Sequence, residues 1–164
     1  RKMRKRIKYL FLCIVTIGLL VGCTNSSKEQ NVESFIRKLV SYDTYKDISS
    51  LEESGRFIED CKSIFGEYIT DDAFDLLMAN RIFTRYSSVI SEASAVTDIN
   101  FTKTSETEND GYIHFEYEVS YKLELNGETV DMKDYMAFNV LDEKGYKIEK
   151  VSILDKTSSI FKAF

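Results

Sequence analysis

The sequence predicts an α+β fold: N-terminal helices packed on a curved four-stranded antiparallel sheet. Apolar residues recur at helical spacing from Val32 to Ala93, then change to strict alternation from Ile99 to Ile153. Helices segregated before strands give α+β rather than an alternating α/β order. Asn126-Gly127, between two alternating runs, is the strongest of the hairpin signals. The 164 residues are 43% hydrophobic and include 10 Tyr and 11 Phe, enough aromatic material for one domain core.

The first helix places Val32, Phe35, Ile36, Leu39 and Val40 on one face. The second sets Leu51, Ile58, Cys61, Phe65 and Tyr68 in a stripe, with Gly55 a weak point near its start. That stripe makes Cys61 a buried small hydrophobe rather than a reactive thiol. Thr70 caps a short third helix, with Asp71 and Asp72 in the first turn where the helix dipole favours acids. Its apolar face is Phe74, Leu77 and Met78. The fourth helix, from Ile82 to Ala93, turns Ile82, Tyr86, Val89, Ile90 and Ala93 inward.

Four strands follow. Ile99 and Phe101 mark the first. Ile113, Phe115, Tyr117, Val119, Tyr121, Leu123 and Leu125 alternate along the second. Val130, Met132, Met136, Phe138 and Val140 mark the third, and Tyr146, Ile148, Val151 and Ile153 the last. The phase of the last strand slips between Ile148 and Val151, which predicts a bulge. Asn109-Asp110-Gly111, Asn126-Gly127 and Asp142 to Gly145 separate the strands, so the sheet reads as a meander.

The first 23 residues have a different character. Arg1, Lys2, Arg4, Lys5, Arg6 and Lys8 form a basic head, and Leu10 to Val21 is apolar apart from Thr16. This is the basic, apolar, small-residue order of a secretory signal. The apolar run is 12 residues long, short of the about 20 that a membrane-spanning helix needs. Leu20-Val21-Gly22-Cys23 resembles the lipobox of bacterial lipoproteins. The resemblance implies a diacylglycerol thioether on Cys23, cleavage between Gly22 and Cys23, and a mature chain beginning at Cys23. A plain signal peptide or short anchor is the alternative. Two acyl chains suffice for stable anchoring, and no other cofactor is expected. The organisation is then a signal peptide over 1–22, a lipidated cysteine and polar tether over 23–30, a domain over 31–155 and a C-terminal tail over 156–164. That tail, with Ile160 and Phe161, either packs on the sheet or meets a partner.

The order of helices and then a four-strand meander resembles the NTF2-like, cystatin-like superfamily. Phe65-Gly66-Glu67-Tyr68-Ile69-Thr70-Asp71-Asp72-Ala73-Phe74 is similar to a helix junction of its small secreted members, and Gly145-Tyr146-Lys147-Ile148-Glu149-Lys150-Val151 to their final strand. The resemblance covers residues 31–155 and implies a concave sheet face that forms a pocket in some members, and dimerisation through the sheet in others. It carries over no catalytic residue. Similar domains occur in the envelope proteins of conjugative transfer machines, where they hang from a transmembrane helix; the lipobox departs from that pattern.

Charge narrows the partners. Residues 1–23 hold six of the 22 basic residues and no acid, which leaves sixteen bases against all 27 acids in residues 24–164, a net −11. Such a domain repels phosphate backbones, so nucleic acid is not an expected partner. With Cys13 in the signal and Cys23 lipidated, Cys61 is left without a disulfide partner. One His and one free Cys cannot build a tetrahedral metal site, and the acid runs lack the spacing of a calcium loop. His114 falls with Glu116 and Glu118 on the polar side of its strand. Asp134 is anomalous, because it shares the apolar side of its strand with Met132 and Met136, and a buried carboxylate must find partners or keep its proton. Asp134 with Tyr117 or Tyr86 is therefore the candidate pocket. The sequence points to a membrane-anchored lipoprotein on the extracytoplasmic face, best suited to a Gram-positive cell. There it would act as a non-catalytic binding or scaffold module for another envelope protein, in a conjugation or secretion assembly. The alternative is a small-ligand binder or enzyme using the concave face around Asp134.

Overall fold

A computed structural model of the chain describes residues 27–46, 48, 54–142, 145–154 and 157–162. Gly22, Cys23 and the rest of the signal and lipobox lie outside the described residues, as does Leu51. The fold is α+β. Five helices, α1 (Ser27–Leu39), α2 (Tyr42–Tyr45), α3 (Ser54–Phe65), α4 (Asp71–Ala79) and α5 (Ile82–Ile90), pack against an open antiparallel sheet. Its strands, β1 (Ala95–Asn109), β2 (Tyr112–Leu125), β3 (Glu128–Leu141) and β4 (Ile148–Ile153), run in the order β1-β2-β3-β4. A 3-10 turn, Ser159–Phe161, follows.

β2 and β3 pair without interruption over fourteen residue pairs, from Tyr112↔Leu141 to Leu125↔Glu128. Asn126 and Gly127 close this hairpin with φ of 52° and 84°. A two-residue turn with both φ values positive matches the twist of the strands it joins, and asparagine and glycine tolerate that region best. The irregularities fall on the outer strands. β1 shifts register between Thr97 and Asn100 and again between Lys103 and Ser105. On β4, Val140 pairs with Ile148 while Asn139 pairs with Lys150, so Glu149 is the extra residue of the expected bulge.

Val32, Phe35, Ile36 and Leu39 of α1, and Val40 just beyond its end, are fully buried. The helix also takes in Ser27–Gln30, a stretch the sequence assigns to the tether. Side-chain contacts hold this polar turn down: Lys28 pairs with Asp142, Glu29 with Lys103 at 3.0 Å, and Asn31 Nδ2 donates to Tyr68 O and Tyr146 O. On α3 the buried face is Phe57, Cys61 and Phe65, whereas Ile58, expected inward, is 44% exposed. The helix ends at Phe65, leaving Tyr68 beyond it and half-buried. Thr70 caps α4 as its spacing predicts, its hydroxyl oxygen accepting from Ala73 N at 3.2 Å. α5 buries Ile82, Tyr86, Val89 and Ile90, and adds Phe83. Phe65, Phe74 and Phe83 form one aromatic stack where α3, α4 and α5 meet, with centroids 4.6 and 5.5 Å apart.

The segment after β4 packs on the sheet. β4 covers β3 only from Met136 to Val140, leaving the outer edge of β3 before Met136 without a strand. The C-terminal turn takes that place. Tyr135 N donates to Ser158 Oγ at 2.9 Å, and Lys133 N to Ser159 Oγ at 3.0 Å. Ser158 and Ile160 are fully buried.

Candidate functional site

Alternation along β3 turns Met132, Asp134, Met136 and Phe138 toward the helices, and Asp134 is fully buried there. Three elements converge on its carboxylate. From α5, the Tyr86 hydroxyl donates to Oδ2 at 2.8 Å. From β2, the Tyr121 hydroxyl donates to the same oxygen at 2.9 Å. From the C-terminal turn, Ile160 N donates to Oδ1 at 2.9 Å. Both oxygens are thus hydrogen-bonded by groups that are themselves buried. Burial pushes the Asp134 carboxyl above its ordinary pKa, while the tyrosine hydroxyls and the backbone amides of Ile160 and Ser159 pull it back. Burial and the nearby Asp134 carboxylate push the Tyr86 and Tyr121 hydroxyls well above the usual phenol range.

The structure brings together two of the three residues proposed for a pocket, Asp134 and Tyr86. Tyr117 is elsewhere. It pairs with Met136, and its ring packs edge-on against Phe101 and Phe138. Its buried hydroxyl makes no well-formed hydrogen bond, although the Glu29 carboxylate is close enough, with burial, to raise its pKa. Tyr121 takes the place expected of Tyr117. Asp134, Tyr86 and Tyr117 line none of four grooves among the described residues, whereas Tyr121 lines one of about 390 Å³ beside Met132 and Lys133. The arrangement ties β2, β3, α5 and the C-terminal turn together.

No protein-family model matches the chain, and no curated protein does.

The remaining candidates sit apart from this carboxylate. His114 lies on the helix-free face of the sheet, opposite Asn139, with Nδ1 2.8 Å from Asn139 Oδ1. Cys61 is buried, and burial, with a smaller effect from Asp60, pushes its thiol up to about 12. Among the described residues no group of three or more His, Cys, Asp or Glu is placed to hold a metal ion. No described helix is long and apolar enough to cross a membrane.

Three of the surface grooves are large enough for ligands. One, of about 580 Å³, lies between α1, α2 and α3, lined by Ser34, Arg37, Lys38, Ser41, Thr44 and Tyr68 among others. Arg37 is held over the Phe101 ring at 5.0 Å. The second, of about 400 Å³, runs between α4 and the outer edge of β4, and the third, of about 390 Å³, is lined by Asn100, Tyr121, Met132 and Lys133 among others. None was visible in the sequence, because each depends on how separate elements meet.

Proposed function

We propose that this chain is a lipid-anchored protein of the bacterial envelope whose domain is a non-catalytic binding module. The carrying observation is the closed carboxylate. Asp134, the buried carboxylate on the inner sheet face among the described residues, has both oxygens hydrogen-bonded internally. A catalytic acid or base must reach a substrate proton directly or through one water. Binding on the outer surfaces remains as the work of the domain. The lipobox at Leu20 to Cys23 supports attachment through Cys23 on the extracytoplasmic face. Only four peptide steps separate Cys23 from Ser27, which already lies in α1, and they reach at most about 14 Å, so the module would stand against the membrane surface. Kinship with NTF2-like domains, a Gram-positive host, pairing of two copies through the sheet and a place in a conjugation or secretion assembly belong to the same proposal.

Mass spectrometry of the protein extracted from membranes tests it. A diacylglycerol adduct on an N-terminal Cys23, and release of the Cys23→Ala variant into the medium, are expected. Crosslinking of intact cells should then give a stoichiometric envelope partner that is lost in Cys23→Ala. An unmodified Cys23 in membrane-extracted protein would overturn the anchor.

The groove of about 580 Å³ favours a second reading, a small-ligand binder, since ligand sites span about 300–1,000 Å³. A compound that raises the melting temperature of the wild type but not of Arg37→Ala would shift the assignment there.

A further inference from the structure

We infer that the outer edge of β4 and the groove beside it form a docking site for an extended, acidic peptide segment that adds as a fifth strand. The inference rests on the binding-module reading and names the partner's chemistry.

The backbone pattern of β4 comes first. Leu154 N donates to Tyr135 O, so Tyr135 and Leu154 face each other as a hydrogen-bonded pair. Such pairs alternate along an antiparallel ladder. Ser152 opposite Ala137 and Lys150 opposite Asn139 are then bonded to β3, while Val151 and Ile153 turn their N–H and C=O groups away from it. At the start of β4 the outer edge is occupied, because Ile148 N donates to Tyr68 O and Thr70 N donates to Ile148 O. That short parallel pairing ends as α4 begins at Asp71. From Val151 onward the edge has no backbone partner among the described residues.

The groove lies along this stretch. Leu76 and Leu77 of α4, Ile82 of α5, Val151, Ile153 and Phe161 give it an apolar lining, and among the described residues no carboxylate lines it. Leu76 is 50% exposed, one of few large apolar side chains so placed. An unpaired edge beside an apolar trough is the arrangement to which extended peptides add, the edge supplying backbone bonds and the trough taking alternate side chains.

Charge selects the occupant. Lys28, Lys46, Lys62, Lys103, Lys122 and Lys133 each pair with a carboxylate. Lys38 and Lys147 form no ion pair among the described residues, and the cations around the groove are likewise unpaired. Lys150 lines it, Arg81 sits between the lining residues Asn80 and Ile82, Lys162 follows Phe161, and Arg85 lies over the Phe161 ring at 4.9 Å. Among the described residues none of these four cations forms an ion pair. In a domain of net −11, four cations that make no ion pair among the described residues, around one apolar trough, complement an acidic segment. A second copy docked edge to edge would bring the same four cations into apposition, which disfavours self-pairing.

The test uses the full chain in mild detergent and two capped hexapeptides of alternating valine with glutamate or with lysine. Saturable binding of the glutamate peptide is expected, weakening with salt, with slowed hydrogen exchange at the Val151 and Ile153 amides. The lysine peptide should bind at least about tenfold more weakly. Ile153→Pro removes an outward N–H without touching the bonds to β3, a position where an edge strand tolerates proline, and should abolish binding. Lys150→Glu, outside the apolar lining, should weaken it about tenfold even if the proline variant folds poorly. No saturable binding, equal binding of the two peptides, or protection of the two amides by self-association without peptide would each overturn the inference. Attachment through Cys23 is read separately by mass, so a failed peptide assay leaves the anchor standing.

Discussion

The Tyr86 hydroxyl donates to Asp134 Oδ2 across 2.8 Å, fastening α5 to β3 through a bond with no exposed atom on the carboxylate side. Tyr121 shares that oxygen, so the two phenols depend on one acceptor. Tyr86→Phe or Tyr121→Phe should each cost about 1–2 kcal/mol, and Asp134→Ala about 3 kcal/mol or more, because it leaves three buried donors unpaired. The double phenylalanine variant should be non-additive by more than about 0.5 kcal/mol. Urea unfolding of the four variants measures all of this. Full additivity would show that the phenols do not share the carboxylate.

Asp134 also sets a pH dependence. Its folded pKa lies above the ordinary value of 3.8. Its contribution to stability is therefore complete below the unfolded pKa and is lost as pH rises through the folded one. The stability of the wild type relative to Asp134→Asn should fall as pH increases from about 4, and level off once the carboxyl ionises in the folded state. Denaturant midpoints of both proteins over that range give the comparison directly. A difference that grows with pH would mean that hydrogen bonding outweighs burial.

The C-terminal turn should behave as part of the core. Ile160→Ala is expected to cost about 2–4 kcal/mol. Ser158→Ala should cost about 1–2 kcal/mol, because it strands the Tyr135 amide, and should speed hydrogen exchange at that amide. If exchange at Tyr135 is unchanged in Ser158→Ala, the edge of β3 is protected by something else.

Cys61 should resist alkylation. With its thiol pushed up to about 12 and its side chain buried, almost none is thiolate at pH 8, and access requires unfolding. Iodoacetamide should modify it in denaturant and leave it intact in buffer. Ready labelling of folded protein would place Cys61 at the surface.

The helical and alternating periods made most of the fold readable, because each element buries one face. The errors fell where two residues satisfied a period equally well. Phe57 and Ile58 lie four and three residues before Cys61, so either fits a helical stripe through Cys61 and Phe65. The structure buries Phe57 at 3% and leaves Ile58 out. Tyr117 and Tyr121 present the same ambiguity. Each lies two positions from Val119, the residue opposite Asp134. Twist shortens one diagonal across a strand pair and lengthens the other, and the sequence carries no mark of which. The anomaly of Asp134 itself was legible, since a carboxylate on an apolar face demands partners. One of those partners, the Ile160 amide, was not, because every residue has a backbone N–H and only the path of the chain decides where it points.

The sheet divides into a rigid interior and forgiving margins. Fourteen uninterrupted pairs join β2 to β3, while each register shift sits on β1 or β4. Inserting one residue into β2 or β3 would turn every later side chain to the opposite face, exchanging Phe115 and Phe138 for glutamates and asparagines. The outer strands already carry such extra residues without that exchange. Descendants of this sequence should therefore differ in length along β1 and β4 and hold the central hairpin to a fixed count, much as a text tolerates changes in its margins but not a dropped letter in a three-letter code.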